Sequence, residues 1–440
     1  MTERGSTRSP DGGVRASFSL LRRNGDFRKV YLSSAISLGG DWFLLVALFG
    51  LVVELSDSAL AVAFLLAAQD LTYFVVSPFT GVLADRLDRK RLMVVADIAR
   101  AVLCLGFLAV QTASVLWVVY PLLAVMACFS AAFEPASAAA LPNLVEDDDL
   151  ATANALSGSL WGTMLVIGAA VGGVVTAILG RDTAIVIDAV SFVGSALLLV
   201  RIHRSFQEDR GAEKPVPLGE AARETIHYAR RDHRVLALLA VKFGWGLAGG
   251  VLVLVPLLAH GRFEAGDVGI GLLLAARGLG ALVGPFVGRA SLGEDDRRLF
   301  LTIGVALAVF GAGYALLGIV PSLLLALPAV ALAHTGGGAQ WMLSSYGLQK
   351  IVPDHIRGRI FAFDGMLVTL TFGTSSLLTG WLAEVFTPSI TAVIMGGIAV
   401  IWAAVWMWLT TDVRRATMLE GCGGPPPEAY EAPGAPALAD

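Results

Sequence analysis

Twelve runs of about 20 apolar residues, separated by short polar breaks, organise the chain. A helix of that length crosses the roughly 30 Å hydrocarbon layer of a bilayer. The runs predict helical spans at 30–53, 60–83, 92–111, 115–137, 156–179, 183–202, 235–259, 267–288, 299–319, 322–346, 360–385 and 389–410. The fourth has the least distinct end, because "FEPASAAALPNLVEDDD" loses its apolar character gradually. An even count puts both ends of the chain on one side. Lys and Arg collect in cytoplasmic connections and resist translocation. Of the 32 Lys and Arg, 27 lie on the side of the termini, whereas the opposite connections hold only Arg181 and Arg262. The expectation is a multi-pass protein of the cell membrane with both termini cytoplasmic. The acidic 4–5 connection, "VEDDDL", stands apart, but acidic residues weigh little in this rule.

Composition agrees with a lipid environment. The chain is 56% apolar and 15% charged, with a mean hydropathy of +0.72. Soluble domains run at about 45–50% apolar and about 25% charged. A net charge of -4 offers no field for nucleic acid or another polyanion. Cys104, Cys128 and Cys422 have no metal-ligand spacing, and no histidine spacing suggests a metal. No Gly-x-x-x-x-Gly-Lys-Ser/Thr is present, which excludes a self-contained ATP-driven pump. No soluble domain is large enough for catalysis, and no nucleophile and base recur at useful spacing, so neither an enzyme nor a cofactor is expected. The first thirty residues are polar and basic and lack a small-residue cleavage site, so they are expected to remain on the protein.

Five segments follow: a cytoplasmic stretch at 1–29, a six-span half at 30–202, a linker at 203–234, a second six-span half at 235–410 and a tail at 411–440. In the linker, Leu218, Ala222, Ile226 and Ala229 recur at helical spacing beside charges, which predicts an amphipathic helix on the membrane surface. The halves echo one another. "GVLADR" at 81–86 reappears as "GPFVGR" at 284–289, and "LVEDDDLATANA" at 144–155 aligns with "IVPDHIRGRIFAF" at 351–363. Parallel six-helix repeats around a central site are a known architecture for alternating access. The Pro-, Gly- and Ala-rich tail predicts disorder.

"GVLADRLDRKR", at 81–91, resembles the 2–3 loop signature of the major facilitator superfamily, with Gly81, Asp85, Arg86, Arg89 and Lys90 matching and Asp88 standing where a second glycine is usual. "SLGGDWF", "DIARAVL", "IDAVSF" and "VPDHIRGRIFAF" resemble the bacterial drug, macrolide and siderophore exporter branch over roughly residues 27–412. The resemblance implies an all-α membrane protein of twelve transmembrane helices in two six-helix pseudo-repeat halves. It also implies that the loop motif is a gate, with Asp85 facing the start of helix 11 near Gly358–Phe361. The positive-inside rule alone would account for the arginines but not for Asp85. Gly168, Gly172 and Gly173 match an antiporter glycine signature in which Ala169 replaces the proline; they serve equally as ordinary helix-packing residues. The helix 4 arginine often linked to proton coupling is missing, so coupling must rest on other groups.

An ionised side chain in the bilayer needs a partner, a wet cavity or a proton. Asp41, Asp70 and Glu134 are the proton-coupling candidates, each with a structural hydrogen bond as the alternative; Asp41 leads through its match to the exporter branch. Asp97 and Arg100, three apart, predict a structural ion pair. Asp188 reads as packing or capping, and Lys242 as a lysine that snorkels to the interface. Arg277 needs an acid or an anionic cargo. His334 and Gln340 predict interhelical hydrogen bonds, with a cavity role open for Gln340. Trp42, Tyr73, Trp161 and Trp245 are candidates to clasp an amphipathic cargo, although single aromatics usually pack. The expected activity is export of hydrophobic or amphipathic small molecules such as drugs or macrolides in exchange for protons. The expected partners are that substrate, protons and membrane lipid, in a monomer. One alternative is export of a siderophore or other anionic metabolite; another is a transport-inactive receptor or scaffold.

Overall fold

The computed structural model describes residues 13–206, 218–293 and 298–414, in which there are helices and no strand. In order these are α1 (Gly13–Arg23), α2 (Gly25–Leu55), α3 (Ala59–Arg86), α4 (Arg89–Gly106), α5 (Val119–Leu144), α6 (Asp147–Leu179), α7 (Arg181–Val200), α8 (Leu218–Arg231), α9 (His233–Gly249), α10 (Leu254–Leu257), α11 (Gly266–Leu292), α12 (Leu299–Ile319), α13 (Leu323–Ile351), α14 (Asp354–Val385) and α15 (Pro388–Leu409). Twelve spans among the described residues are long and apolar enough to cross a membrane, with α9 and α10 joined in one of them.

Several helices outrun their apolar runs, because hydropathy registers only the part inside hydrocarbon while capping residues set the real ends. Asn24 caps α2, which begins five residues before the apolar run: its side chain accepts from the Phe27 amide at 2.9 Å and donates to the Leu144 carbonyl at 2.8 Å. Asp88 caps α4, accepting from the Arg91 amide at 2.7 Å, so a carboxylate closes the turn where the related motif has glycine. The N-terminal stretch is not simply an extended leader, since α1 packs on α6 and α2 and buries Leu20 beside Phe27 and Ala153. In the linker helix α8, Ala229 of the expected apolar face is buried together with Thr225 and Tyr228, while Ile226 is exposed. The tail beyond Arg414 lies outside the described residues.

Each half packs by the same scheme, α3 on α5 in the first and α11 on α13 in the second, with α2 on α7 mirrored by α9 on α15. Two seams join the halves, α6 against α11 and α3 against α14. Both are tight at one end. On the first seam, a methyl group at Gly173 would sit 2.8 Å from the Asp267 carbonyl oxygen and 3.0 Å from the Gly271 Cα, a backbone-on-backbone approach open only to small residues. On the second, a methyl at Gly380 would sit 2.5 Å from the Ala63 Cβ. Midway the contacts persist through Gly162 with Leu282 and Gly373 with Leu71.

Towards the face that carries α1 and α8, hereafter the basic face, the seams part. Gly158 on α6, and Gly358 and Gly365 on α14, have nothing within 4 Å of a built methyl. Val75 and Phe79 on α3 are 60% and 61% exposed. The opposite face is shut by polar clasps as well as packing. Ser58 donates to Glu384 at 2.6 Å, the Leu60 amide donates to the same carboxylate at 3.2 Å, and Glu54 pairs with Arg181 beside Gly50, against which Asp267 packs.

Candidate functional site

A cavity of about 690 Å³ opens between the parted helices against the first half, lined from α2, α3, α5 and α6 and touched by Arg100 of α4. Its walls are largely apolar (Leu45, Met126, Phe133, Trp161), with Asp41, Gln69, Tyr73, Glu134 and Asn154 set among them. Apolar walls with few, well-placed polar groups suit an amphipathic small molecule.

The polar groups form a connected patch. Tyr73 of α3 donates its phenol to Glu134 of α5 at 3.2 Å. Arg100 is buried, pairs with Asp97, reaches Ser130 at 3.4 Å and lies between the rings of Phe133 and Phe192, 4.9 and 4.4 Å from its guanidinium carbon. Ser195 donates to the free oxygen of Asp97 at 2.6 Å. Both Asp97 oxygens are thus engaged, which helps to offset the desolvation of the buried pair, while the Nε of Arg100 is buried without a hydrogen-bond partner among the described residues. Asp41 lines the cavity on α2, within reach of the charges of Arg100 and Asp97. Behind it Asp188, fully buried, accepts from Cys104 at 3.3 Å and Ser191 at 3.2 Å, and a methyl at Gly40 would collide with its carboxylate at 2.3 Å.

Arg277 of α11 reaches across the seam, its guanidinium carbon 5.3 Å from the Trp161 ring centre and 5.9 Å from that of Trp42, in cation–π range. These two rings meet edge to face at 6.0 Å. Asp70 of α3 is not on the cavity wall; it faces α14 at Gly373, and its charge and that of Arg277 act on one another. The Nε of Arg277 is buried with no hydrogen-bond partner among the described residues. Gly168 and Gly172 let α6 approach Gly39, Trp42 and Phe43 of α2, while Gly173 serves the α11 seam.

In the second half, Trp245 stacks in a cluster with Trp341 at 5.3 Å, Phe372 at 4.8 Å and Phe310 at 6.0 Å. His334 makes its interhelical hydrogen bond, to the Tyr314 hydroxyl at 2.6 Å. Gln340 does not: its amide nitrogen and oxygen are both buried without a partner among the described residues. Lys242 does not snorkel to the interface. It is 1% exposed, because it is fastened to Asp364 of α14, to Ser345 of α13 at 3.1 Å and to the face of Trp341 at 4.4 Å. Asp364 is the group that the sequence reading missed, although an acid in one span and an unexplained lysine in another were its available signal.

Of the loop motif, the side chains of Gly81, Asp85 and Arg86 lie outside the described residues. Arg89 is buried and donates to the Ala139 carbonyl at 2.9 Å and the Phe206 carbonyl at 3.3 Å; Lys90 donates to the Val200 and Ile202 carbonyls at 3.0 and 2.7 Å. Both cations therefore fasten α4 to the carbonyl ends of α5 and α7 within one half, where they complement the helix dipoles.

Twelve spanning helices in two packed halves that are parted at one face around a polar-flecked cavity define a transporter of the major facilitator type. The chain belongs to the transmembrane secretion effector family, whose profile matches residues 16–421. It is 32% identical to the uncharacterized MFS-type transporter YfiS of Bacillus subtilis over 42% of this chain, and so spans less than half, 44%, of that relative. Macrolide efflux protein A of Streptococcus pyogenes is 24% identical over 81% of this chain and 89% of its own length. The class C tetracycline resistance protein of Escherichia coli is 26% identical over 80% and 86% respectively. Among solved structures, a bacterial homologue of the human lysosomal transporter Spinster, in an inward-facing, unoccupied conformation, superposes with a TM-score of 0.71 at 13% identity, over 93% of this chain and 99% of that one.

Proposed function

We propose that the protein exports hydrophobic or amphipathic small molecules in exchange for protons, by alternating exposure of the cavity to the two sides of the cell membrane. The basic face is then cytoplasmic, and the arrangement described is the one that loads cargo. A single observation carries this reading: a largely apolar cavity, in a molecule whose seams part towards the basic face, holds two carboxylates, Asp41 and Glu134. Such groups can trade a proton as the opening changes sides. The similarity to a macrolide efflux protein supports the direction, and that together with the similarity to a tetracycline resistance protein supports the cargo class.

The test is uphill efflux of a fluorescent amphipathic dye, rhodamine 6G, from proteoliposomes under an imposed pH gradient. Asp41→Asn should abolish gradient-driven movement while the protein still inserts; undiminished uphill transport by that variant removes Asp41 from the coupling. A second reading, export of an anionic metabolite, draws on the unsatisfied Nε of Arg277. It requires transport of a carboxylate-bearing dye that is lost in Arg277→Gln.

A further inference from the structure

The second half holds an acid, an aromatic face and a hydroxyl converging on one ammonium, and that ammonium belongs to the protein. Lys242 of α9 is held by Asp364, by Ser345 at 3.1 Å and by the Trp341 ring at 4.4 Å. A carboxylate beside an aromatic face is what recognises alkylammonium ions. The receptor has spare capacity: Oδ1 of Asp364 is buried and accepts no hydrogen bond from the described residues, while Oδ2 holds the lysine. It also has a way in. Trp341 lies nine residues beyond the exposed Leu332, about half a rotation round the helix, so that it and Ser345, one turn further on, are on the side of α13 that meets Trp245 and Lys242 of α9. Trp341 is 40% exposed there, and Gly365, adjoining Asp364, has nothing within 4 Å of a built methyl.

We propose that this is an exchange site for lipophilic amines, in which Lys242 is a tethered stand-in for the protonated amine of the cargo. The proposal rests on the export reading above and adds to it a second position, separate from Asp41 and Glu134, at which a proton and a cargo compete. A cargo ammonium entering from the basic face bonds first to the free Oδ1 of Asp364, then displaces Lys242 from Oδ2 and from the Trp341 face. Among the described residues, Asp364 is the one carboxylate paired with Lys242, so the displaced ammonium loses its counter-charge. On the helices packed against α9, α15 carries no charged residue between Pro388 and Leu409, and Tyr314 of α12 and His334 of α13 bond to one another; Lys350 of α13 and Arg357 and Arg359 of α14 lie toward the basic face, where Glu224 of α8 pairs with Arg359 and the other charged or histidine side chains described on α8 are Arg223, His227, Arg230 and Arg231; Glu384 lies at the opposite end of α14. A lone buried ammonium is not sustainable, and a lysine, unlike an arginine, can give up its proton. One N–H bond of Lys242 breaks and its proton leaves to the water of the opening. The site starts and ends with one cation and one anion, so one proton is released for each monovalent amine taken up. In the opposite state, reprotonation of Lys242 expels the amine.

The probe is propranolol, a lipophilic secondary amine charged at pH 7.5, with its N-acetyl derivative as the uncharged counterpart of the same frame. Binding to the full chain in lipid nanodiscs is measured by calorimetry in two buffers of different ionisation enthalpy, which counts protons released. For the wild type about one proton should leave per propranolol bound, and the N-acetyl compound should bind at least about tenfold more weakly and release none. Lys242→Met should bind propranolol more tightly and release no proton; Asp364→Asn should bind at least about tenfold more weakly. Binding without proton release by the wild type, or release that persists in Lys242→Met, overturns the proposal. If Asp364→Asn does not fold, the wild type, the uncharged probe and Lys242→Met still decide. The measurements are at equilibrium, so proton-linked binding without uphill efflux would sink the export reading alone. Proton-driven efflux with propranolol affinity unmoved by Asp364→Asn would sink this site alone.

Discussion

Arg100 carries much of the electrostatic load of the first half. It neutralises Asp97, its charge reaches Asp41, and two phenyl rings shield it from lipid. Arg100→Leu leaves Asp97 as an uncompensated buried charge, and removing one partner of such a pair costs about 3–5 kcal/mol. The expected result is a clearly lowered thermal midpoint in detergent, with substantial recovery in the double variant Asp97→Asn, Arg100→Leu. That ion pair was legible in the sequence because it is local: residues three apart on a helix face one another. Lys242 and Asp364 are 122 positions apart, and helical periodicity says nothing about which spans become neighbours. The exporter-like fragment entering α14 ends at Phe363, one residue short of the acid that matters. For the same reason Asp70 could be recognised as an acid in a span but not as the group facing α14 and Arg277.

At the scale of the element, the existence of all twelve spans was legible and their lengths were not. Apolar runs mark the hydrocarbon-crossing stretch, whereas α5, α6 and α14 continue through the interface on polar residues such as Asn143, Asn154 and Arg359. The connection "VEDDDL" is barely a loop, since α5 ends at Leu144 and α6 begins at Asp147. Gly168, Gly172 and Gly173 of α6 read as packing in the sequence; the structure adds that Gly173 meets Gly271 and the Asp267 carbonyl across the two halves. Gly173→Val forces those backbones apart, and overpacking of this sort costs about 1–3 kcal/mol. The expected outcome is a loosened seam. Spin labels near the ends of α6 and α11 opposite the basic face should report a longer and broader distance distribution than in the wild type, and an unchanged distribution would mean that the seam tolerates bulk.

For the whole molecule, the doubling was read from the span count and the echoed motifs, and the major facilitator architecture from the resemblance carried by the 2–3 loop signature and the four exporter-like fragments. Which face stands open did not, because one sequence serves both packings and they differ by only a few kcal/mol. If Asp85 steadies the form closed at the basic face, Asp85→Asn should shift the population further toward the form described here. Single cysteines placed in the cavity wall should then be labelled more slowly by impermeant maleimide added from the far side; an unaltered labelling rate would argue against a gate at this loop.

The clasp between Ser58, the Leu60 amide and Glu384 closes the surface that meets the external medium in the orientation proposed above. One carboxylate there does the work of a bolt and is itself bathed by whatever surrounds the cell. Acid in the surroundings, by protonating Glu384, would then loosen the shutter directly, without any signal from within, so that the environment on the far side of the membrane helps to set how readily the door swings.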